Sequence, residues 1–137
     1  MARQYRIGEV TRRTGVSADT LRYYERIGLL PGVSRTASGM RLYDERNLSR
    51  LRFIRRAQRM NFSLEEIGQL LKMREDPQHA RDEIRQLTAR KLAEVEAGLE
   101  ELTLLRNELS LLLSLCRGSE DGCPILEGIE QGGEEAT

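Results

Sequence analysis

Between residues 92 and 116 the apolar residues fall at Leu92, Val95, Leu99, Leu102, Leu109, Leu113 and Cys116. The steps follow a 3-4-3-7-4-3 pattern, and the place skipped by the long step is Arg106. That is a heptad seam with one charged interruption. Residues 80–115 contain no proline and one glycine, Gly98, so they read as a single helix. At 1.5 Å per residue such a helix of about 36 residues is about 54 Å long. No other segment is large enough to cover its apolar edge. The seam therefore calls for the same helix from a second copy, parallel or antiparallel. A low aromatic content, 4% with no Trp, fits an elongated, helix-rich molecule.

The remainder of the chain is asymmetric in charge. Residues 1–60 hold 14 Arg, no Lys and five acids, a surplus of nine positive charges. Residues 61–137 hold 8 basic and 17 acidic residues, a deficit of nine, so the net charge of zero conceals two opposed halves. The first half is suited to a polyanion. Guanidinium groups match phosphate and guanine bidentately, so the exclusive use of Arg points to nucleic acid.

Residues 5–30 read as two short helices. Ile7, Val10 and Thr11 share a face of the first. Gly15 offers a positive-φ corner, and Ser17 is placed as the N-cap of a second helix with Leu21, Tyr24 and Ile27 facing inward. This is the helix-turn-helix pattern. Pro31, Gly32, Ser38 and Gly39 then mark loop and turn, and "MRLY" at 40–43 reads as a strand. The resulting hairpin is a wing with Arg35 and Arg41 at its turn. A helix from Asp44 carries Leu48, Leu51, Ile54 and Met60 on one stripe. Ser63 and Glu66 form a capping box for the next helix, with Ile67, Leu70 and Leu71 facing a core.

Taken together, "IGEVTRRTGVS", "TLRYYERIGLL", the spacing Arg35-x3-Gly39-x-Arg41-x-Tyr43 and "NFSLEEI" resemble the DNA-binding half of the MerR family of transcriptional regulators. The likeness is contiguous over residues 5–71 and continues to "CPILEGI". It implies a mainly α fold with a winged helix-turn-helix domain at 1–75 and an antiparallel coiled-coil dimerisation helix at 80–115. An effector-binding loop and short helix at 116–130 and a disordered tail at 131–137 complete it. The dimerisation contacts are those of the seam: Leu92, Val95, Leu99, Leu102, Leu109 and Leu113.

The resemblance further implies a homodimer that binds double-stranded operator DNA within a promoter whose spacer is overlong. Such a dimer represses without effector. With effector it distorts the DNA so that RNA polymerase engages both promoter elements, a use of indirect readout as a switch. By position, Ser17, Thr20, Arg22, Tyr24, Arg35, Arg41, Tyr43 and Arg55 are the expected DNA contacts. Asp19 is open to two roles, accepting from a cytosine amine or supplying negative charge at a helix N-terminus. Met40 stands where relatives often carry Tyr, and Tyr23 is read as a core residue in preference to a phosphate contact.

Both cysteines lie near the end of the seam. Cys116-x6-Cys123-Pro124 resembles the metal loop of the metal-responsive branch. Thiolates select soft ions, and Pro124 opens a helix whose amides favour anionic sulfur. Copper-type sensors of the family usually place seven residues between these cysteines. Sensors of divalent ions usually place eight and add a third cysteine at the start of the partner's long helix. Here the gap is six, and that helix-start position is Arg81. Two-coordinate binding favours Cu(I) or Ag(I), with Arg81 offsetting the charge. His79, the single histidine, is the rival third ligand and would suit Zn(II), Cd(II) or Hg(II). A dithiol–disulfide sensor and an organic-effector regulator are the alternatives.

No apolar run approaches the roughly 18 residues of a membrane span. "MARQYRIGEV" has no apolar signal core, so the expected location is cytoplasmic. No P-loop, GxSxG or HExxH motif occurs, and the expectation is a protein that is not an enzyme.

Overall fold

The structure, a computed structural model, describes residues 3–118 and 122–135. It divides into two compact units, Met1–Leu87 and Thr88–Thr137. The boundary between the units falls inside the long helix.

In the first unit, strand β1 (Tyr5–Arg6) leads directly into helix α1 (Ile7–Thr14). Helix α1 ends where Gly15 takes φ 75° and returns its N–H to the carbonyl of Thr11 at 2.9 Å. Helix α2 (Ala18–Arg26) is capped by Ser17, whose side chain accepts from the Thr20 N–H. The wing follows as β2 (Ser34–Arg35) and β3 (Arg41–Tyr43), antiparallel with Arg35 opposite Arg41. β3 also pairs with β1, Tyr5 opposite Tyr43, giving a three-stranded sheet in the order β1-β3-β2.

Helix α3 (Glu45–Arg59) starts in a capping box in which Asp44 and Asn47 exchange hydrogen bonds, both 2.9 Å. Its turn into helix α4 (Leu64–Glu75) places Asn61 at φ 69°, a left-handed conformation that Asn adopts more readily than most residues. α4 opens in the expected capping box of Ser63 with Glu66.

These elements bury one core, built from Val10, Leu21, Tyr24, Leu30, Tyr43, Leu48, Leu51, Ile54, Ile67, Leu71 and their neighbours. Ile27 and Met60, expected to face inward, are exposed instead. Both are helix C-cap residues, where the helical phase that assigned them no longer applies.

Helix α5 (Pro77–Gly118) spans 42 residues, longer at both ends than the sequence pattern indicates. In the second unit, α6 (Pro124–Glu135) starts at the expected proline. It remains helical to Glu135, where a disordered tail from residue 131 was expected.

Candidate nucleic-acid interface and thiol site

The N-terminus of α2 is tied by two hydroxyls. Ser17 Oγ accepts from the Thr20 N–H at 3.2 Å and donates to Thr20 Oγ1 at 2.8 Å. Both residues thus hold the end of the helix that carries Arg22. Asp19 lies in the first turn of α2, where negative charge suits the helix dipole, and its Oδ1 is 3.0 Å from Arg22 Nη1.

The wing is docked on α2 by a single carboxylate. Glu25 Oε2 accepts from Arg41 Nε at 2.7 Å, and its Oε1 is 3.5 Å from Arg35 Nη2. The hydrogen bond to Glu25 holds the Arg41 guanidinium above its ordinary pKa, against the opposing effect of burial. At the wing tip Gly39 has φ 89°, and Thr36 and Met40 close the hairpin with a 2.8 Å backbone bond. Met40 is exposed. Arg6, Arg22 and Arg41 line one hollow with Ile7, Gly39 and Met40. Three arginines lining one hollow suit a phosphate of a nucleic-acid backbone.

Arg55 is half-buried and comes close to the helix-turn-helix corner. A Cβ added at Gly15 would lie 3.7 Å from its Nη2.

Two expected DNA contacts are corrected. Tyr43 is fully buried, and its hydroxyl has no hydrogen-bond partner. Tyr24 is buried, and its hydroxyl accepts from Gln58 Nε2 at 3.2 Å. Neither ring is available at the surface. Burial raises the Tyr43 phenol pKa, with smaller opposing effects from nearby arginines. Tyr23, expected in the core, is instead 40% exposed, with Arg26 over its ring at 5.4 Å. It joins Arg22 and Arg26 on the open face of α2. The signal that finds it is helical phase: Leu21 and Tyr24 are three apart on the buried side, which turns Tyr23 outward.

In the second unit, Cys116 is exposed within the last turn of α5, which continues to Gly118 rather than ending at the cysteine. Cys123 is half-buried and immediately precedes α6. Its carbonyl accepts the Glu127 N–H at 3.1 Å, the first turn of that helix. Gly122 makes the approach at φ 76°. The expected loop residues 119–121 lie outside the described residues. Among the described residues, no three His, Cys, Asp or Glu side chains form a group that could hold a metal ion. Cys116 and Cys123 are free thiols, a soft donor type suited to a thiophilic ion. His79 and Arg81 belong to the first unit. The exposed His79 Nδ1 is 2.8 Å from both Asp76 oxygens, and Arg81 is exposed.

The seam residues Leu92, Val95, Leu99, Leu102, Leu109 and Leu113 are 39% to 64% exposed in the single chain. Leu104, Leu105, Leu111 and Leu115, which the heptad reading omits, are as open.

The pattern of the MerR HTH family regulatory proteins matches residues 5–74, and that of the MerR DNA-binding region matches residues 48–112. The HTH-type transcriptional regulator ZntR of Escherichia coli K12 is 42% identical over 132 residues, covering 93% of this chain and 94% of ZntR. The transcription regulator PbrR691 of Ralstonia metallidurans CH34, solved in complex with lead(II), superposes with a TM-score of 0.75. It is 37% identical, with 90% of this chain and 98% of that chain covered. HiNmlR, a MerR family regulator lacking the sensor domain and solved on promoter DNA, gives a TM-score of 0.61. There the identity is 25%, with coverage of 82% and 85%.

Proposed function

Since this chain belongs to the MerR family of helix-turn-helix regulators, we propose that its Arg-rich unit binds operator DNA and its thiol pair reports a metal ion to that unit. It is a DNA-binding, metal-responsive regulator rather than an enzyme, and it acts as a homodimer. Among the described residues, no helix is long and apolar enough to cross a membrane. We assign it to the cytoplasm, where its DNA and RNA polymerase are.

The convergence of Arg6, Arg22 and Arg41 on one hollow carries the DNA reading. Arg22 and Tyr23 on α2 meet the duplex in the groove. Ser17 and Thr20 fix the helix N-terminus there, and Arg35 and Arg41 take phosphates beside it. Arg55 supports the corner between α1 and α2. Such contacts supply most of the affinity and make it fall steeply with salt.

The ligand is Cu(I) or Ag(I). What supports this is the soft donor type of the two free thiols, Cys116 and Cys123. A monovalent ion between two thiolates leaves one net negative charge, which Arg81 of the partner subunit offsets. When bound, the ion supplies a cross-link between the end of α5 and the start of α6. The chain's own part is to hold Cys116 on the last turn of the dimerisation helix, so that a change at the thiols changes how two copies present their DNA-binding units. The dimer represses when empty. When loaded it favours a distorted operator, at a deformation cost of a few kcal/mol, and polymerase then engages an overlong spacer.

The test is transcription from the cognate promoter with the reduced protein and Cu(I), Ag(I), Hg(II), Zn(II) or Cd(II) in turn. Cu(I) or Ag(I) alone should induce, and Cys116→Ala or Cys123→Ala should abolish induction while leaving operator binding intact. Induction by oxidant without metal would replace the metal reading with a thiol–disulfide sensor. Induction by Zn(II) that is lost in His79→Ala would replace the two-coordinate site with a three-coordinate one.

A further inference from the structure

Glu25 is the penultimate residue of α2, and its two oxygens are taken by two different arginines. Oε2 receives Arg41 Nε at 2.7 Å, and Oε1 is 3.5 Å from Arg35 Nη2. Those arginines face each other across the β2–β3 ladder. One carboxylate therefore fastens both strands of the wing to the helix beside it. The Glu25 and Arg41 side chains are each only 24% exposed, which shields their pair from solvent and salt more than an ordinary surface pair.

The bond to Glu25 uses one of the five guanidinium N–H donors of Arg41. The rest remain available to the hollow that Arg41 shares with Arg6 and Arg22. Glu25 thus does not displace a phosphate from that hollow. It fixes how the wing presents Arg41 to one.

Two consequences follow. A docked wing has less freedom to lose when a matching duplex seats, so binding to that duplex is stronger. A duplex that touches the surface loosely meets two wing arginines whose joint positive charge is halved by Glu25, so it gains less from phosphate contact and releases fewer counterions. Both effects widen the gap between matching and non-matching DNA.

We propose that Glu25 is a positioning residue for DNA discrimination, holding Arg35 and Arg41 for a duplex that engages α2 and the wing together. The inference rests on the assignment of the wing arginines to DNA made above.

The experiment uses the full-length chain, an operator duplex selected in vitro with the unmodified protein, and a random-sequence duplex of the same length. Affinities are measured over a range of salt. Glu25→Gln keeps the shape and removes the charge. It should bind random DNA several-fold more tightly and the operator several-fold more weakly, lowering their ratio by about tenfold or more. The salt slope on random DNA should steepen by about 0.9, for the one positive charge that Glu25 no longer offsets. Glu25→Asp keeps the charge but is one methylene shorter. It should weaken operator binding with no gain on random DNA and no change in slope there.

An unchanged ratio in Glu25→Gln overturns the proposal. So does a loss on both duplexes with the slope unaltered, which is what mere destabilisation produces. Arg41→Ala separates the two levels. If it alters neither affinity nor slope, the wing assignment itself fails. If it alters both while Glu25→Gln alters neither, only the role of Glu25 fails.

Discussion

Gly128 of α6 lies so close to Leu112 of α5 that a Cβ built on it would meet the leucine Cδ2 at 2.5 Å. The Leu112 side chain packs directly against the backbone of α6 here. This contact lies five residues after Cys123 and four before Cys116, so it closes the segment that carries both thiols. Gly128→Val should force the helices apart and weaken metal binding by about tenfold or more, the usual loss when the support of a metal ligand is removed. Gly128→Ala should cost less, because the obstructing atom is the end of a flexible side chain. Chelator competition measures both, and operator affinity without metal should stay unchanged.

Tyr43 is enclosed by the core and its hydroxyl has no partner. A buried polar group left unsatisfied costs about 1–3 kcal/mol. Tyr43→Phe should therefore leave the first unit as stable or up to that much more stable. DNA affinity should not change, since the ring does not reach the surface. A large loss of operator binding in a folded Tyr43→Phe protein would restore the DNA contact that burial argues against.

The same residue sets an alkaline limit. Burial raises the Tyr43 phenol, and the hydrogen bond with Glu45 raises that of Tyr5. The unfolded chain then loses these protons first as pH climbs through the ordinary phenol value of about 10, which favours unfolding. The stability from both groups is fully present below that pH and declines above it. Thermal unfolding between pH 8 and 11 should show this fall, and it should be shallower in Tyr43→Phe.

The local signals of the first unit are legible in the sequence because they act over three or four residues. Ser17, Asp44 and Ser63 each cap a helix from the position their side chains favour, and Gly15 sits where a left-handed corner is needed. Contacts made by the folded wing are not legible. Glu25 and Arg41 are 16 residues apart and meet only once β3 has paired with both β1 and β2. A strand as short as Tyr5–Arg6 has no period to detect. Tyr24 faces inward as its helical phase indicates, whereas the DNA role given it by the resemblance does not follow from phase; Tyr23, about 100° away around the helix, faces out. At the thiols, the metal reading comes from the family resemblance, because the six-residue spacing fits neither sensor pattern. The contact of Gly128 with Leu112 depends on how α6 returns to α5, which no sequence period encodes.

Asp44 caps α3 through the Asn47 N–H, and Asn47 returns the bond to the Asp44 N–H. Asn47 is also buried and donates to the Pro31 carbonyl at 3.4 Å. Asp44→Ala should cost about 1 kcal/mol, a typical N-cap loss. Asn47→Leu should cost more, because it leaves two backbone groups unpaired and fills a space shaped for an amide. Urea denaturation of the two variants should rank them in that order.

The seam of α5 gives a prediction of opposite sign at neighbouring positions. Leu102 and Leu109 flank Arg106 on the heptad stripe and are half exposed or more in the single chain. Leu102→Lys removes an apolar contact from each copy of a two-fold interface. At about 1.5–3 kcal/mol per buried leucine, the dimer should weaken by about a hundredfold or more. Leu104 and Leu111 are equally exposed but lie off the stripe, so Leu104→Lys should leave the dimer almost unaffected. Arg106→Leu completes the apolar repeat and should tighten the dimer. A polar residue in a coiled-coil seam also specifies register at a cost in stability. The tighter dimer should therefore be less uniform, with broadened operator binding and reduced induction by metal. Sedimentation equilibrium reads the affinities. If Leu104→Lys dissociates the dimer and Leu102→Lys does not, the interface lies on the other face of the helix.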